Sequence, residues 1–194
     1  MSVEMSLRER KKERTRRVIR QEAFRLFGEQ GYTETTVEQI AAAADVSPST
    51  FFRYFPSKEQ VVLADDVDPI MLEAIEAQPA DLAPLDALCA AIETVFDRMP
   101  AEGLAFERAR FDLIRAVPEL RGALVREQER NIEIVAAALA ARAGRAPADF
   151  EVRVVAGALV GALSAVVREI EFEPAVLTRV VRFLSAGMPL GPRE

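Results

Sequence analysis

The stretch VSPSTFFRYFPSKEQ, Val46 to Gln60, places four aromatic residues within five positions and encloses them between two prolines. Serine followed by proline is a strong start signal for a helix. The serine side chain caps the first turn, and the proline lacks only an amide that would have no partner there. Pro56 ends the helix, because the residue before a proline disfavours helical backbone. The stretch therefore predicts a short helix over 48–55, with Phe51 and Phe55 on one face.

A second short helix precedes this one, and a longer helix precedes both. Thr36 stands at an N-cap position with Gln39 three residues later, which is the spacing of a capping box. The long helix covers about 8–30 and is followed by Gly31, where a left-handed C-cap is expected. Two short capped helices joined by a turn of three or four residues form a helix-turn-helix, with 48–55 in the recognition position.

The residues of this helix that are not expected to face inward suit a DNA major groove. If Phe51 and Phe55 face inward, the exposed side and front carry Pro48, Ser49, Thr50, Phe52, Arg53 and Tyr54. Arginine donates to guanine, hydroxyls reach bases or phosphates, and an apolar ring can lie against a thymine methyl group. Ser47 belongs to the same group, although its hydroxyl is expected to serve as the cap. Lys58 and the capped helix start at Thr36 suit phosphates.

The sequence IRQEAFRLFGEQGYTETTVEQIAAAADVSPSTFFRYFPSKEQVV resembles the N-terminal domain of the TetR family of bacterial transcriptional regulators over about 45 residues. The resemblance implies an all-helical homodimeric repressor. It places a helix-turn-helix DNA-binding domain at residues 1–56 and a ligand-binding and dimerisation domain at 57–194. Two positions depart from the family pattern. Phe52 replaces a tyrosine and so lacks a phosphate-binding hydroxyl, and Asp45 stands where glycine is frequent. Tyr54 either contacts DNA or braces the helix.

The charge of the chain is unevenly distributed. The net charge is −6, yet residues 1–20 hold eight Lys or Arg against three Glu. A basic segment on an acidic body suggests local contact with a polyanion. The alternative is a solvated helix face on which Glu13 pairs with Arg17. By resemblance to the family, the first helix and its leading arm flank the DNA, which makes Arg14 and Arg17 candidate phosphate contacts.

The second domain is predicted to be helical throughout. The periodicity predicts helices over 57–77 with a bend near Pro69, and then over 83–99, 103–116, 118–143, 147–170 and 174–186, about nine in the whole chain. Prolines fall in several first turns, as expected of helix starts. The helix over 57–77 connects the two domains and is the expected lever between effector and DNA.

Residues 154–167, VVAGALVGALSAVV, contain no charge. They are fewer than the roughly 20 apolar residues that span a membrane, so no membrane is expected. Small residues here allow another helix to approach closely, either within the monomer or from a second copy. By resemblance to the family, the last two helices form the dimer surface, which would read a near-palindromic operator. The candidate interface residues are Gly157, Ala158, Gly161, Ala162, Ala165, Val176, Val180 and Phe183.

A pocket for a small effector is expected among the helices between these two regions. The candidate lining residues are Phe96, Met99, Leu104, Phe106, Arg110, Phe111 and Ile114. The alternative is that these residues are ordinary core. Arginines between 108 and 121 suggest an amphipathic anion such as a fatty acid or acyl-CoA, and the segment is loosely similar to an acyl-CoA-sensing TetR subgroup. Alternatively, the arginines pair with Glu107, Asp112 and Glu119.

Other classes of function are disfavoured. The chain has no histidine and one cysteine, Cys89, so the usual metal, cofactor and general-base chemistry is not expected. An enzyme would need Asp or Glu chemistry alone. A helical adaptor that uses its basic arm on an acidic partner remains an alternative, as does an activator of the same family. The charged N-terminus predicts a cytoplasmic protein, and either Met1 or Met5 is the start.

Overall fold

The computed structural model describes residues 6–64 and 67–191, and the described residues form eleven α-helices and no strand. The all-helical prediction is confirmed. Met1 and Met5, the two candidate starts, lie outside the described residues. The helices are α1 Leu7–Gln30, α2 Val37–Ala43, α3 Pro48–Tyr54, α4 Lys58–Leu63, α5 Val67–Glu76, α6 Pro84–Asp97, α7 Ala101–Ala116, α8 Pro118–Arg126, α9 Gln128–Ala143, α10 Phe150–Glu169 and α11 Pro174–Ser185.

The chain divides into two compact units between Ala64 and Asp65, whereas the sequence placed the domain boundary at 56/57. The first unit holds α1 to α4, since α4 packs against α1, which also packs against α2. Its core is built from one face of each helix. The buried apolar residues are Ile19, Ala23, Phe27, Tyr32, Ile40, Ala41, Ala44, Phe51, Phe55, Val61 and Val62.

Two residues with left-handed backbone set the turns of this unit. Gly31 has a φ of +89°, and its amide donates to the Phe27 carbonyl at 3.1 Å, which ends α1 as predicted. Asp45 has a φ of +53° in the turn between α2 and α3. Aspartate tolerates this conformation better than most residues, so its presence where glycine is frequent leaves the turn intact.

The helix predicted over 57–77 is divided in two. α4 ends at Leu63, α5 begins at Val67, and residues 65–66 lie outside the described part of the chain. Ala64 leaves the helical region with a ψ of 120°, so the helix ends upstream of the predicted bend. Pro69 falls in the first turn of α5, where its missing amide hydrogen costs no helical hydrogen bond.

The helix predicted over 118–143 is also interrupted, but only at Glu127. The Glu127 amide donates to the Ala123 carbonyl at 3.2 Å, but Glu127 has a ψ of −7°, away from the usual helical value, so regular helix lapses for one residue between α8 and α9. These two interruptions account for eleven helices where about nine were predicted. Their cause lies in backbone geometry that hydrophobic periodicity does not report.

The second unit packs α5 to α11 around a shared apolar core. α10 packs against α9, α7 and α11, while α6 packs against α11 and α5. The main buried cluster is Cys89, Ile92, Ala136, Leu139, Ala140, Val152, Ala156, Leu159 and Val181. These residues come from α6, α9, α10 and α11, so four helices meet at one core.

Arg142 of α9 holds the end of α5 and the loop that follows it. Its guanidinium donates to the carbonyls of Ile75 at 3.0 Å, Gln78 and Leu82 at 3.3 Å each, and Pro79. Carbonyls at a helix end have no partner within the helix, and one planar guanidinium supplies several donors at once. The side chain therefore connects α5 to α9.

Candidate nucleic-acid interface

The recognition helix α3 is held in place by a cap and two buried rings. The Ser47 hydroxyl accepts a hydrogen bond from the Thr50 amide at 3.1 Å, and Pro48 occupies the first helical position. Phe51 is completely buried and Phe55 is 1% exposed. The predicted cap and the predicted anchoring face are both confirmed. A helix of seven residues has little stability of its own, so these contacts determine its orientation.

The opposite face of α3 is open to solvent. Pro48, Ser49, Phe52 and Arg53 are exposed, and Phe52 has 50% of its surface accessible although it is a phenylalanine. Thr50 and Tyr54 are half-buried. The Arg53 guanidinium carbon lies 5.5 Å from the centroid of the Tyr54 ring. The face therefore brings together a cation, an apolar ring and a hydroxyl.

The hydroxyls of this face are already connected to one another. The Ser47 hydroxyl donates to Thr50 Oγ1 at 3.0 Å and lies 2.9 Å from Ser49 Oγ. Ser47 is thus occupied by its role as a cap, as expected. Ser49 is exposed and lies one turn before Arg53, so these two side chains share the outer surface of the helix.

The start of α2 is fixed by the predicted capping box. The Gln39 amide donates to Thr36 Oγ1 at 3.2 Å, and the Thr36 amide donates to Gln39 Oε1 at 2.9 Å. Gln30 of α1 adds a third contact, because its Nε2 donates to the same Gln39 oxygen at 2.8 Å. Thr36 is exposed at the end of this network, so its position is set by contacts from two helices.

Lys58 is engaged within its own unit. Its Nζ donates to the carbonyl of Tyr32 at 2.8 Å and to that of Thr35 at 2.9 Å, and it lies 4.3 Å from the centroid of the Tyr32 ring. An ammonium has three donors, so two of them are used here. The side chain ties the start of α4 to the loop between α1 and α2, a role that the sequence did not predict.

The basic residues of α1 fall into two groups. Arg14 and Arg17 are exposed, as a contact with phosphates requires. Arg16 instead places its guanidinium carbon 5.2 Å from the centroid of the Phe55 ring, and Arg20 is 3% exposed. The helix therefore turns some of its cations outward and uses others to brace the unit that carries α3.

In the second unit, the structure brings together two of the predicted pocket residues and one residue that was not predicted. Phe96 and Phe111 both contact Phe172, whose ring centroid lies 5.7 Å from that of Phe96 and 4.5 Å from that of Phe111. Arg110 and Ile114 are buried, at 4% and 0% exposed. The remaining predicted lining residues are half-buried: Met99, Leu104 and Phe106.

The arginines that suggested an anionic effector all have partners within the chain. Arg110 forms a buried ion pair with Glu107 at 2.6 Å, and Arg115 pairs with Asp112. Arg108 pairs with Glu173 at 2.7 Å, and Arg121 donates to the Arg115 carbonyl at 2.7 Å. Pairing with nearby acidic residues, the alternative interpretation of the sequence, therefore describes Arg110 and Arg115. These four arginines do not form a cluster of free cations that would attract an anion.

The predicted dimer surface is partly open in the single chain. Gly161 and Ala165 are exposed on α10, and Val154 on the same helix is 52% exposed. Gly157, Ala158, Ala162 and, on α11, Val176 are half-buried. Phe183 is 40% exposed, whereas Val180 is only 8% exposed and belongs to the core of its own chain. One face of α10 thus lacks cover from the rest of the described chain.

α10 is by length and composition long and apolar enough to cross a membrane. The sequence prediction considered only the uncharged run over 154–167. The core helix of a globular protein meets the same criterion, and α10 packs against three other helices. Among residues 6–64 and 67–191, no group of three or more His, Cys, Asp or Glu side chains is arranged to hold a metal ion.

Comparison with known proteins places both units among bacterial regulators. Residues 19–64 match the family model described as bacterial regulatory proteins, tetR family, and residues 82–189 match the model described as MftR C-terminal domain. The second match alone covers more than half of the chain. It begins just before α6 and ends after α11, so it includes the helices that form the core of the second unit.

Individual relatives agree with these matches. TcmR of Streptomyces glaucescens, an HTH-type transcriptional regulator, is 41% identical over 145 residues, which are 71% of this chain and 64% of TcmR. MftR of Mycobacterium tuberculosis is 29% identical over 165 residues, covering 82% of this chain and 81% of MftR. A solved TetR-family regulator from Streptomyces coelicolor has the same fold, with a TM-score of 0.55, 21% identity, and coverage of 89% of this chain and 93% of that one. The chain therefore spans slightly less than two thirds of the length of TcmR.

Proposed function

The chain belongs to the TetR family of bacterial regulatory proteins, and from that premise we propose that it is a ligand-responsive, DNA-binding transcriptional regulator that represses its target genes until an effector releases it. The observation that carries the proposal is the pair of faces on α3. One face is buried through Phe51 and Phe55, and the other exposes Ser49, Phe52 and Arg53. An exposed phenylalanine beside an arginine on a firmly anchored helix suits a major groove.

We assign DNA contacts to three groups of residues. Arg53 is the candidate for direct recognition of a base, and Ser49, Thr50, Phe52 and Tyr54 surround it. The exposed Arg14 and Arg17 of α1 are candidates for phosphate contacts, as are the helix starts at Thr36 and Pro48. Lys58 has two of its three donors engaged with carbonyls, so its main role is to position α4, with one donor left for a phosphate.

The regulator acts as a homodimer in this proposal. The uncovered small-residue stripe on α10 supports a helix-to-helix contact with a second copy, joined by Phe183 of α11. A two-fold dimer presents its recognition helices with the same symmetry, so the operator is expected to be near-palindromic. Since its operator is DNA of a bacterial cell, we place the protein in the cytoplasm.

The effector is a small molecule bound by the second unit. It must bind the conformer with low DNA affinity more tightly, because a ligand with equal affinity for both conformers shifts nothing. α4 and α5 connect the two units in sequence and are the expected route of transmission. The ion-paired arginines of α7, Arg108, Arg110 and Arg115, remove the main argument for a fatty acid or acyl-CoA, so we do not assign an acyl-type effector.

A fluorescence-anisotropy titration tests this function. The DNA is the fragment immediately upstream of the protein's own gene, compared with unrelated DNA of equal length at two salt concentrations. We expect tight binding to the upstream fragment and a large decrease in affinity for the Arg53→Ala variant. Arg25→Ala is the matched control, since Arg25 is an α1 arginine already paired with Glu22 and Glu29.

Other outcomes of the titration would favour other functions. Equal and salt-sensitive binding to both DNAs would mean that the basic helix alone binds DNA, without recognition of sequence. An absence of binding to either DNA at low salt would favour the adaptor that uses its basic arm on an acidic protein. Where binding is specific, transcription from the upstream promoter in the presence of the protein distinguishes a repressor from an activator.

A further inference from the structure

The linker between α10 and α11 carries an aromatic side chain into the interior of the second unit. The linker covers 170–173, and Phe172 within it is 3% exposed. Its neighbour Ile170 is 48% exposed, and Glu171 is exposed as well. The linker therefore lies on the surface except for one ring, which is inserted between α6 and α7.

The geometry around this ring is that of a stacking site. The Phe172 and Phe111 rings are nearly parallel, at an interplanar angle of 11° with centroids 4.5 Å apart. Phe96 of α6 contacts Phe172 in a tilted arrangement at 59°. Offset stacking of this kind is a favourable arrangement for two flat aromatic groups. The space between α6 and α7 thus fits a planar ring, and a residue of the chain itself occupies it.

The platform on which Phe172 stacks is held rigidly. The Arg110 guanidinium carbon lies 4.4 Å from the centroid of the Phe111 ring. Arg110 is fixed in turn by Glu107, which accepts from its Nε at 2.8 Å, and both side chains are buried. A cation is attracted to the face of an aromatic ring, so this contact holds Arg110 and Phe111 together. The platform is therefore held by contacts that do not involve Phe172.

The linker itself is held more weakly than its ring. Besides Phe172, the linker contacts α7 through the ion pair between Glu173 and Arg108, in which both partners are about two-fifths exposed. Ion pairs with this much exposure contribute little to stability. Displacement of the ring therefore requires movement of a four-residue linker, and its main cost is exposure of the buried Phe172 side chain.

We propose that Phe172 is an internal plug in an effector site, and that the effector carries a planar aromatic group that replaces Phe172 on Phe111. This inference rests on the proposed function and specifies the chemical class of the effector. The plug also connects the site to the two helices assigned to the dimer contact, because displacement of Phe172 moves the linker that joins α10 to α11.

Direct binding of naphthol tests the proposal, with decahydronaphthol as the saturated, non-planar control; because decahydronaphthol does not fluoresce, its affinity is read from its displacement of naphthol. The chain contains no tryptophan, so naphthol fluorescence is read without an indole background. The apparent affinity of a plugged site is the intrinsic affinity multiplied by the fraction of molecules that are open, so Phe172→Ala is expected to bind naphthol about 10- to 100-fold more tightly than the wild type, which must first expose a buried phenylalanine. Phe150→Ala is the matched control, because Phe150 is 80% exposed and lies outside the site.

Two further measurements distinguish a stacking site from a simple cavity. Phe111→Leu in the Phe172→Ala background should reduce naphthol affinity and leave decahydronaphthol affinity unchanged. In the wild type, naphthol should raise hydrogen exchange in the peptide that contains the linker. If Phe172→Ala does not fold, Phe172→Leu keeps much of the apolar volume without the stack and is expected to show a smaller increase in naphthol affinity.

The proposal is overturned if the affinities for naphthol and decahydronaphthol rise equally in the folded variant, or if naphthol binds without raising exchange in the linker. The DNA titration of the same wild-type preparation separates this result from the proposed function. Specific DNA binding without preference for the planar probe would refute the plug alone. A preference for the planar probe without DNA binding would leave the site in place and refute the regulator.

Discussion

Phe51 and Phe52 are neighbours with the same side chain and opposite surroundings, and exchanging each for alanine tests how α3 is built. Phe51 is 0% exposed and its ring contacts that of Phe55, while Phe52 is 50% exposed. We expect Phe51→Ala to release α3 from its unit. We expect Phe52→Ala to leave α3 in place and to weaken DNA binding by removing an apolar group from the outer face.

The magnitudes follow from burial. Replacing a fully buried phenylalanine by alanine costs about 3–5 kcal/mol. A unit the size of residues 6–64 has a total stability of about 3–9 kcal/mol, so the cost is comparable with the whole. Replacing Phe52 by alanine costs about 1 kcal/mol of stability, since only half of its surface is buried. These costs raise the equilibrium constant for local opening of α3 by about 10²–10⁴-fold in Phe51→Ala and by about fivefold in Phe52→Ala.

Hydrogen exchange of the full chain measures these openings separately from the second unit. The amides to follow are those of Thr50 and Phe55, which are hydrogen-bonded to Ser47 Oγ at 3.1 Å and to the Phe51 carbonyl at 2.9 Å. Anisotropy with an operator fragment gives the DNA affinity of the same samples. An equal decrease of protection in both variants, or full protection in Phe51→Ala, would refute this account of the two faces.

Three further outcomes are expected. Ser47→Ala should lower the stability of α3 by about 1 kcal/mol in exchange measurements, and Ser49→Ala should not, because only Ser47 caps the helix. Lys58→Gln should destabilise the first unit by about 1–3 kcal/mol in urea unfolding, because two carbonyls lose their donor. Arg17→Gln should leave stability unchanged. It should reduce the slope of log affinity for DNA against log salt concentration by about 0.9 for each phosphate that is no longer neutralised. Burial raises the pKa of the Cys89 thiol, so its thiolate is scarce at neutral pH, and a disulfide reagent should label it only after unfolding; rapid labelling of the native chain would contradict its placement in the core.

Local signals made the first unit predictable from its sequence. Capping residues act over three positions, so Thr36 with Gln39 and Ser47 with Pro48 identify the starts of α2 and α3 without any tertiary information. The role of Lys58 was not accessible in this way. Its acceptors are backbone carbonyls 23 and 26 residues earlier in the chain. Every residue has a backbone carbonyl, so the sequence does not show which of them accepts a hydrogen bond.

The second unit was predictable as a set of helices but not as a site. Apolar periodicity identifies Phe96 and Phe111 as inward-facing, and it does the same for ordinary core residues. Phe172 lies in a short linker between two glutamates, outside any periodic run. An aromatic residue in so charged a linker, two positions before the proline that starts α11, is the sequence signal that it has an internal partner.

The pairing of charges also depended on the fold. From the sequence, the arginines of α7 could bind an anionic ligand or pair with nearby acidic side chains. Helical spacing supports pairing for Arg110 with Glu107, which lies three residues earlier. The partner of Arg108 could not be read from spacing, because Glu173 lies 65 residues away. Helix packing thus decides which charges remain available for a ligand.

Selection of binding sites from a random duplex library tests the central claim most directly, since it needs no assumption about where the operator lies. The wild type is expected to enrich a near-palindromic sequence. Arg53→Ala should show no preference at one base pair in each half-site, while Arg17→Ala should select the same sequence with lower affinity. An enriched sequence that is identical for the wild type and Arg53→Ala, or no enriched sequence at all, would contradict the assignment of α3 as the helix that reads DNA.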